Sequence, residues 1–380
     1  MSQTSPIRRS AAKSRARSRL IELLDGGTVG PAGILPPEKD LAELCGVSRT
    51  PLRAVLEELE EAGRIRKEGR RGWMLLTDGG LESPMSQAVV VVRDHSEYAS
   101  EVGHLRQGIE QVVLAAGRNA MVIQNIKRLD TPHALNWLLN NRPAGLIPSE
   151  HITHSPSCRE PLERLGAAGV SVVVQAACDY LEPFDQVIDD QEGGGYDLTR
   201  LLLERGCRRI RRLWAPSPAD YWNPLRYQGY LRAHAEAGVT PYPDQEPMGL
   251  PDNFNRTHFD SKANVTWMTG VLAQDFVHGD DAPDAIMAPA DSFCEIVGMA
   301  LDILYRDRPE RRPVVVGFDG GWEQIETDEN RAYRPLATAV KNPTALGAEI
   351  AKTVLQRIGG TLGDAPERRR VPMRLRVFAD

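Results

Sequence analysis

Three polar side chains crowd the start of one predicted helix. In the stretch LCGVSRTPLRAVL, Gly46 predicts a turn and Ser48 a helix cap. Arg49 and Arg53 are four residues apart and would share a helix face, with Thr50 beside them. These groups can contact base edges and phosphates, and the guanidinium of arginine suits both. They can equally be a solvated helix end, so the neighbouring elements must decide between the two interpretations.

A second set of polar residues follows predicted strands. Asp319 ends VVVGF, Asp291 follows DAIMA, and Arg226 opens a helix after RIRRLW. Ligands of open α/β sheets bind at the carboxyl ends of strands, and two carboxylates with one guanidinium can hold several hydroxyl groups. We therefore expect a polar ligand there. Aromatic residues beside these strand ends could stack on a sugar: Trp214, Tyr221, Trp222 and Trp322.

Each of these residues also has a purely structural interpretation. Asp319 could cap a loop, Asp291 could cap the helix that follows it, and Arg226 could pair with a surface acid. The tryptophans could be core residues. Tyr98 and Glu101, after the first strand of the body, are weaker candidates for the same ligand site.

The elements around the first set have the order of a winged helix-turn-helix. A helix, a second helix with Pro37 near its N1 position, a turn, and a third helix over about 49–62 precede two short strands, RIRKE and GWMLL. Apolar residues of the third helix follow the 3, 4, 7 spacing of a buried face. The expected additional DNA contacts are Lys39 at the second helix, for a phosphate, and the wing-tip residues, for the minor groove: Gly69, Arg70 and Arg71.

The segment ILPPEKDLAELCGVSRTPLRAVLEELEEAGRIRKEGRRGWML resembles the DNA-binding domain of the GntR family. The resemblance covers roughly residues 18–77. It implies that Lys39, Arg49, Thr50, Arg53 and Gly69 contact DNA. Three residues depart from the family pattern: Pro37 for Ser, Lys39 for Arg, and Pro51 for Thr. Pro51 lacks an N–H that could hold a phosphate, so we expect a different operator.

From residue 87 the pattern changes to strands alternating with helices. QAVVVV, NAMVIQNI, AGLIP, GVSVVVQ, QVIDD, RIRRLW, DAIMAP and PVVVGFD are short apolar strands, mostly separated by helical segments. This alternation predicts an α/β fold with parallel sheets. Roughly 290 residues with this many strands favour two sheets over one. The predicted fold is therefore a winged helix-turn-helix followed by a two-lobed body with two parallel-sheet lobes.

The later half of this body resembles the ligand-binding domain of LacI/GalR-type repressors, which is similar to periplasmic sugar-binding proteins. The segments VIDDQEGGGY, LTRLLLERGCRRI, DAIMAPADSFCEIVGMALDIL, VVVGFDG and LGAEIAKTVLQRIGG carry the resemblance. It spans about 87–378 and is clear from about 185 to 360. It implies ligand contacts by Arg226, Asp291 and Asp319. A GntR head on such a body is like the arabinose-repressor group of bacteria.

Charge is distributed unevenly along the chain. Residues 1–77 hold 14 Lys/Arg and 10 Asp/Glu, which gives this segment a net charge of +4. Because the whole chain has a net charge of −6, the remainder carries −10. A basic head on an acidic body indicates a polyanion contact at one end. We expect a disordered basic arm over 1–17 or a frayed helix start, a DNA-binding domain over 18–77, a Gly/Ser/Pro-rich linker over 78–86, and an effector-binding domain over 87–380.

Composition indicates the compartment. The five cysteines are scattered and form no CxxC, so neither a disulfide framework nor a zinc site is expected, and a reducing cytoplasm fits. The N-terminus lacks the apolar core of a signal peptide, and no run of about 18 apolar residues could span a membrane. His151 and His154 lack a third metal ligand, and Gly193–Gly195 lacks the Lys-Ser/Thr of a P-loop.

The sequence thus predicts a ligand-responsive transcriptional regulator, with neither cofactor nor metal. A homodimer would bind a two-fold double-stranded operator, and a small-molecule effector, most simply a sugar, would bind the body. Two alternatives stay open. The body could be a sugar-acting enzyme with a regulatory head, although no GxSxG or HExxH motif occurs. The winged helix could instead contact another protein.

Overall fold

The computed structural model describes residues 6–25, 34–61, 64–67, 72–75, 84–93, 99–124, 126, 128–214, 221–243, 248–252, 254, 260–275 and 282–378. The chain divides into two compact units, Met1–Pro84 and Met85–Asp380. The predicted linker lies mostly outside the described residues. Within them, no helix is both long and apolar enough to cross a membrane.

The first unit contains three helices and a small sheet. The helices are α1 (Pro6–Asp25), α2 (Glu38–Leu44) and α3 (Arg49–Glu61), and the strands are β1 (Ile65–Lys67) and β2 (Trp73–Leu75). β1 and β2 pair antiparallel, and Ile34 bridges to Met74. Between α2 and α3, Gly46 has φ 63°, and its N–H donates to the Glu43 carbonyl. This left-handed glycine makes the sharp turn that the sequence predicts.

Spaced apolar residues hold this unit together. The buried face of α3 consists of the four residues predicted from their spacing, and they pack against apolar residues of α1, α2 and the sheet: Leu52, Val55, Leu56 and Leu59. Pro37 is the N-cap of α2 rather than its N1 residue.

The basic arm differs from the expectation. α1 begins at Pro6 and includes most of the segment for which we expected disorder or a frayed helix start. Two interactions with α3 explain why it is helical: Lys13 and Arg17 both pair with Glu58, at 2.5 and 3.5 Å. Ala16 is also fully buried. A packed, ion-paired face supplies the tertiary stabilisation that a short basic helix lacks alone.

The second unit contains two sheets. The six-stranded sheet of the first lobe has the order β12-β7-β6-β5-β3-β4, and its pairs are parallel. Its elements are β3 (Ala88–Val92), α4 (Ala99–Ala115), β4 (Asn119–Ile123), α5 (Pro132–Asn141), β5 (Gly145–Pro148), α6 (Glu150–Thr153), α7 (Arg159–Ala167), β6 (Ser171–Val174), β7 (Asp185–Asp189), α13 (Pro343–Ile358) and β12 (Arg368–Val371).

The second lobe has a five-stranded sheet of order β13-β11-β10-β9-β8. Its elements are α8 (Gln191–Glu204), β8 (Ile210–Arg212), α9 (Trp222–Ala237), α10 (Lys262–Ala273), β9 (Ala285–Met287), α11 (Asp291–Leu304), β10 (Val314–Asp319), α12 (Trp322–Ile325), β11 (Ala337–Val340) and β13 (Arg374–Val377). β13 pairs antiparallel with β11, so this sheet is parallel except at one edge.

The chain passes between the two lobes three times, after β7, after β11 and between β12 and β13. The predicted α/β fold with two largely parallel sheets is therefore confirmed. Strand ends from both sheets adjoin these crossings, which is where open α/β sheets bind ligands.

Candidate functional site

The first candidate site is the exposed start of α3. Ser48, Arg49, Thr50 and Arg53 are all exposed, as is Lys39 on α2. Leu52 and Val55 on the opposite face are fully buried, so the polar residues are displayed outward by a fixed core. This arrangement satisfies the geometric requirement for a recognition helix, whose leading residues must reach a groove.

Glu38 connects this helix to the small sheet. Its carboxylate accepts from Arg53 Nε at 2.6 Å and from Trp73 Nε1 at 3.2 Å. The Arg53 hydrogen bond lowers the pKa of Glu38, although partial burial acts in the opposite direction. Arg53 is therefore held in place in the absence of DNA. The predicted wing-tip contacts Gly69, Arg70 and Arg71 lie outside the described residues.

The second candidate site is centred on Arg226, in the second turn of α9. Its side chain is 8% exposed. Nε donates to Gln191 Oε1 at 2.8 Å, one terminal nitrogen donates to the Pro289 carbonyl at 2.7 Å, and the other approaches Asp319 Oδ1 at 3.4 Å. The guanidinium also lies 3.8 Å from the Phe318 ring centroid and 4.9 Å from that of Trp222. The Arg226 side chain thus contacts residues at three strand ends and lies against two aromatic rings.

Asp319 is the anionic centre of this group. Lys341, directly after β11, donates to its carboxylate at 3.0 Å. Burial would raise the pKa of Asp319, but the charges of Lys341 and Arg226 outweigh burial and lower it. The backbone of Asp319 has φ 87°, a conformation uncommon outside glycine. The strand therefore ends in a sharp turn that presents an ionised carboxylate between two cations.

Residues of the first lobe complete the site. Glu150, just after β5, lies near both His154 and Lys341: burial would raise its pKa, but the His154 hydrogen bond and the Lys341 charge lower it. Tyr221 is buried, and its pKa is raised well above the usual value by burial and by the nearby acids Glu150 and Asp189. Asp189 ends β7 and is also buried. Acidic residues of the first lobe thus face cationic residues of the second.

Asp291 and Trp322 lie beneath this polar layer. Asp291 is 1% exposed, starts α11, and accepts the backbone N–H of Trp322 at 3.1 Å. Burial raises its pKa to about 7. The Trp322 ring is fully buried and donates through Nε1 to Glu326 at 2.7 Å. Trp322 therefore occupies the core, as in the structural interpretation, and its ring is not exposed for stacking on a ligand.

The remaining predicted contacts have different positions. Trp222 is partly exposed beside Arg226, and Trp214 follows β8 and is also partly exposed. Tyr98 lies outside the described residues. Glu101 belongs to α4, but its side chain lies outside them as well. Arg226, Asp319 and Trp222 are therefore brought together at one site.

Sequence reasoning missed several residues of this site: Glu150, Asp189, Gln191 and Lys341. All four follow or end a strand, namely β5, β7 or β11. The rule that found Asp319, applied to every strand end, would have identified Glu150 and Asp189. Lys341 was missed because β11 itself was not predicted.

Two sequence signals have structural explanations. The His151 and His154 rings stack with centroids 5.3 Å apart, and no group of three metal-ligating side chains occurs in the described part of the chain. At Gly195, an added Cβ would overlap the Arg226 backbone, so the glycines allow α8 to pack closely on α9.

Two family models match the chain, one in the first unit and one in the later part of the second. Residues 12–75 match the gntR family of bacterial regulatory proteins, and residues 199–377 match the periplasmic binding protein-like domain. The chain therefore joins a GntR-type helix-turn-helix domain to a periplasmic-binding-protein-like domain, and both resemblances predicted from the sequence are confirmed.

Among individual proteins, the chain is similar to two arabinose metabolism transcriptional repressors. That of Halalkalibacterium halodurans is 26% identical over 60% of this chain and 60% of its own length. That of Geobacillus stearothermophilus is 24% identical over 59% of this chain and 61% of its own length. The chain thus spans about three fifths of the length of these curated relatives.

Solved structures show the same fold. The complex of the transcriptional regulator CelR with cellobiose has a TM-score of 0.53 at 20% identity, covering 90% of this chain and 99% of that chain. A LacI family regulator from Enterococcus faecium with bound ribose has a TM-score of 0.52 at 18% identity, covering 76% and 96%. The two-lobed body therefore has the same fold as these two regulators.

Proposed function

We propose that this chain is a bacterial transcriptional repressor whose DNA affinity is controlled by a sugar. One observation carries the proposal: a buried arginine, shared by strand ends around a polar cleft, follows a GntR-type head in the same chain. The protein binds the sugar without converting it, works in the cytoplasm, and binds its operator as a homodimer. The arabinose repressors and the sugar-bound LacI-type structures support this assignment.

The head binds operator DNA through α3. Arg49 and Thr50 are exposed at its start, and Arg53 pairs with Glu38. The Arg53 side chain is 59% exposed, and exposed ion pairs contribute about 0–1 kcal/mol. Arg53 can therefore exchange Glu38 for a phosphate or a guanine edge at little cost. The wing-tip residues Arg70 and Arg71 are expected to contact the DNA minor groove.

The effector is a neutral polyhydroxylated molecule. Arg226 and Lys341 already engage Asp319, and the acids Glu150 and Asp189 adjoin them. An anionic ligand would meet these carboxylates, whereas hydroxyl groups can donate to them and accept from Arg226. Partly exposed Trp222 offers an aromatic face to the apolar side of a sugar ring.

Salt-dependent DNA binding tests the head. Fluorescence anisotropy with DNA from upstream of this gene should give an affinity that falls linearly on a log–log plot against salt concentration. Arg49→Ala should weaken binding on the order of tenfold, because a good base contact contributes about 1–3 kcal/mol. The matched control is Arg200→Ala, an exposed arginine of α8. If the DNA affinity does not change with salt concentration or with Arg49→Ala, the head contacts something other than DNA.

A sugar screen tests the body. Thermal-shift measurements with L-arabinose, D-ribose, D-xylose and cellobiose should identify at least one stabilising ligand. Arg226→Lys keeps the positive charge but loses the planar guanidinium, so it should lower the affinity for that ligand on the order of tenfold. The Arg200→Ala control should leave this affinity unchanged. If Arg226→Lys binds as tightly as the wild type, the effector lies elsewhere. If the purified protein consumes the sugar, the protein is an enzyme.

A further inference from the structure

A groove of about 640 Å³ runs along the outer edge of the first lobe. Edge strand β12 supplies Arg368 and Arg370, its neighbour β7 supplies Gln186 and Ile188, and helix α9 of the second lobe supplies Leu225 and Gln228. None of these six side chains belongs to the effector site described above. We call this feature the β12 groove. Its volume is in the range of small-molecule sites, about 300–1,000 Å³.

Strand register explains why two arginines face the groove. β12 is parallel to β7, with Arg368 opposite Gln186 and Arg370 opposite Ile188. Alternate residues of a strand point to opposite faces, so Arg368 and Arg370 share the face of Gln186 and Ile188. Arg369 points the other way, and its guanidinium binds Glu349 of α13 at 2.9 Å. Two guanidinium groups are therefore placed on one wall about two residues apart.

These guanidinium groups keep donors for a ligand. Arg368 pairs with Glu182 at 2.9 Å, and both side chains are more than 60% exposed. Arg370, which is 46% exposed, pairs with Glu192 at 2.7 Å and lies 3.7 Å from Asp190. Each guanidinium has five N–H donors in a planar fork, and exposed ion pairs contribute little stability. A phosphate or carboxylate in the groove can therefore replace Glu182 at Arg368 at little cost and use the remaining donors of Arg370, whose partner Glu192 is 21% exposed.

Apart from Asp179 and Arg369, the rest of the lining is apolar or uncharged. Ile188 is buried at the floor, Leu225 is half-buried on the α9 side, and Gln186 is buried with its amide donating to the Leu181 carbonyl. An inorganic anion would leave this apolar surface in contact with water, whereas an organic body would cover it. We infer that the β12 groove is a second ligand site, which binds an amphipathic organic anion with its charge at Arg368 and Arg370.

The groove adjoins the effector site through α9. Leu225 lines the groove, and the next residue, Arg226, is the centre of the effector site. Tyr221 also lines the groove, while Glu150 of the effector site is close enough to raise its pKa. A ligand in the groove would therefore contact the helix that holds Arg226, and Tyr221 adjoins both sites.

Isothermal titration calorimetry of the full chain with phenyl phosphate tests this inference. We expect saturable binding with a Kd below about 1 mM. The double variant Arg368→Ser/Arg370→Ser should weaken binding at least about tenfold, because charge-assisted hydrogen bonds are lost. Gln228→Glu, which adds a negative charge on the α9 wall, should weaken it as well. Arg374→Ser on neighbouring strand β13 is the matched control and should bind like the wild type.

Three results would overturn the inference. Phenyl phosphate could fail to saturate, the double variant could bind it as tightly as the wild type, or inorganic phosphate could bind equally well. The last result would mean that the apolar wall contributes nothing. Because the titration needs neither DNA nor a sugar, its outcome is independent of the proposed function.

Discussion

At the scale of one residue, the backbone angle of Asp319 determines which substitution can test its role in ligand binding. Its φ of 87° suits Asp and Asn better than other non-glycine residues. Asp319→Asn should therefore keep the turn but remove the charge that engages Arg226 and Lys341. We expect sugar affinity to fall roughly 10- to 150-fold, the equivalent of about 1.5–3 kcal/mol for charge-assisted hydrogen bonds. Calorimetric titration measures this change, and an unaltered Kd would remove Asp319 from the site.

Asp291 gives a pH-dependent prediction. Its pKa is raised from 3.8 to about 7 by burial, so between these values the folded state holds a proton that the unfolded state has lost. Its contribution to the free energy of unfolding therefore decreases as pH rises from 4 to 7 and levels off above pH 7. Asp291→Asn removes this dependence. The stability of the variant relative to wild type should rise by on the order of 4 kcal/mol between pH 4 and pH 8.

Urea denaturation of both proteins across this pH range measures the difference. The difference reports Asp291 together with its electrostatic coupling to Asp319, because all other titrating groups are shared. A difference that stays flat with pH would mean that the carboxyl group is ionised throughout.

At the scale of elements, the sequence predicted those strands and helices whose residues are mainly apolar or strongly periodic. β3 and β10 were visible because largely buried strands are nearly continuous runs of apolar residues. β12 and β13, RRRV and RLRV, were missed because edge strands with exposed faces carry charged residues. Arg226 and Asp319 were predicted from strand ends, but Glu150 was not. Glu150 follows β5 and fits the same rule, but its proximity to Lys341 depends on how the two sheets face each other, which no local pattern encodes.

Close packing of α8 on α9 gives a prediction for a glycine pair. A Cβ added at Gly229 would overlap the Glu192 carbonyl oxygen, whereas one at Gly270, on the exposed side of α10, meets nothing within 4 Å. Gly229→Ala should lower stability by about 1–3 kcal/mol, because backbones must separate. Gly270→Ala should be neutral or raise it by up to about 1 kcal/mol, because alanine favours helix. Thermal denaturation compares the melting temperatures of the two variants. Equal melting temperatures would show that α8 and α9 are not in close contact.

At the scale of the whole molecule, the net charge differs in sign between the DNA-binding head and the ligand-binding body. The head is basic and the body acidic, so the head attracts DNA while the body disfavours it. The cleft, in turn, faces acids of one lobe toward cations of the other, so a neutral ligand can bridge both lobes without adding charge. In the proposed function, a sugar that bridges the lobes would favour a closed body, and DNA affinity would respond only if closure is coupled to the head.

This coupling is the last prediction. A sugar that binds the cleft should change the Kd for operator DNA by roughly 5- to 150-fold, because typical coupling free energies are about 1–3 kcal/mol. Linkage requires DNA to change the Kd for the sugar by the same factor, so anisotropy and calorimetry must agree. Arg226→Lys should need a higher sugar concentration for the same response, while Gly270→Ala should respond like the wild type. If saturating sugar leaves the DNA affinity unchanged, the cleft binds a ligand but does not control the head.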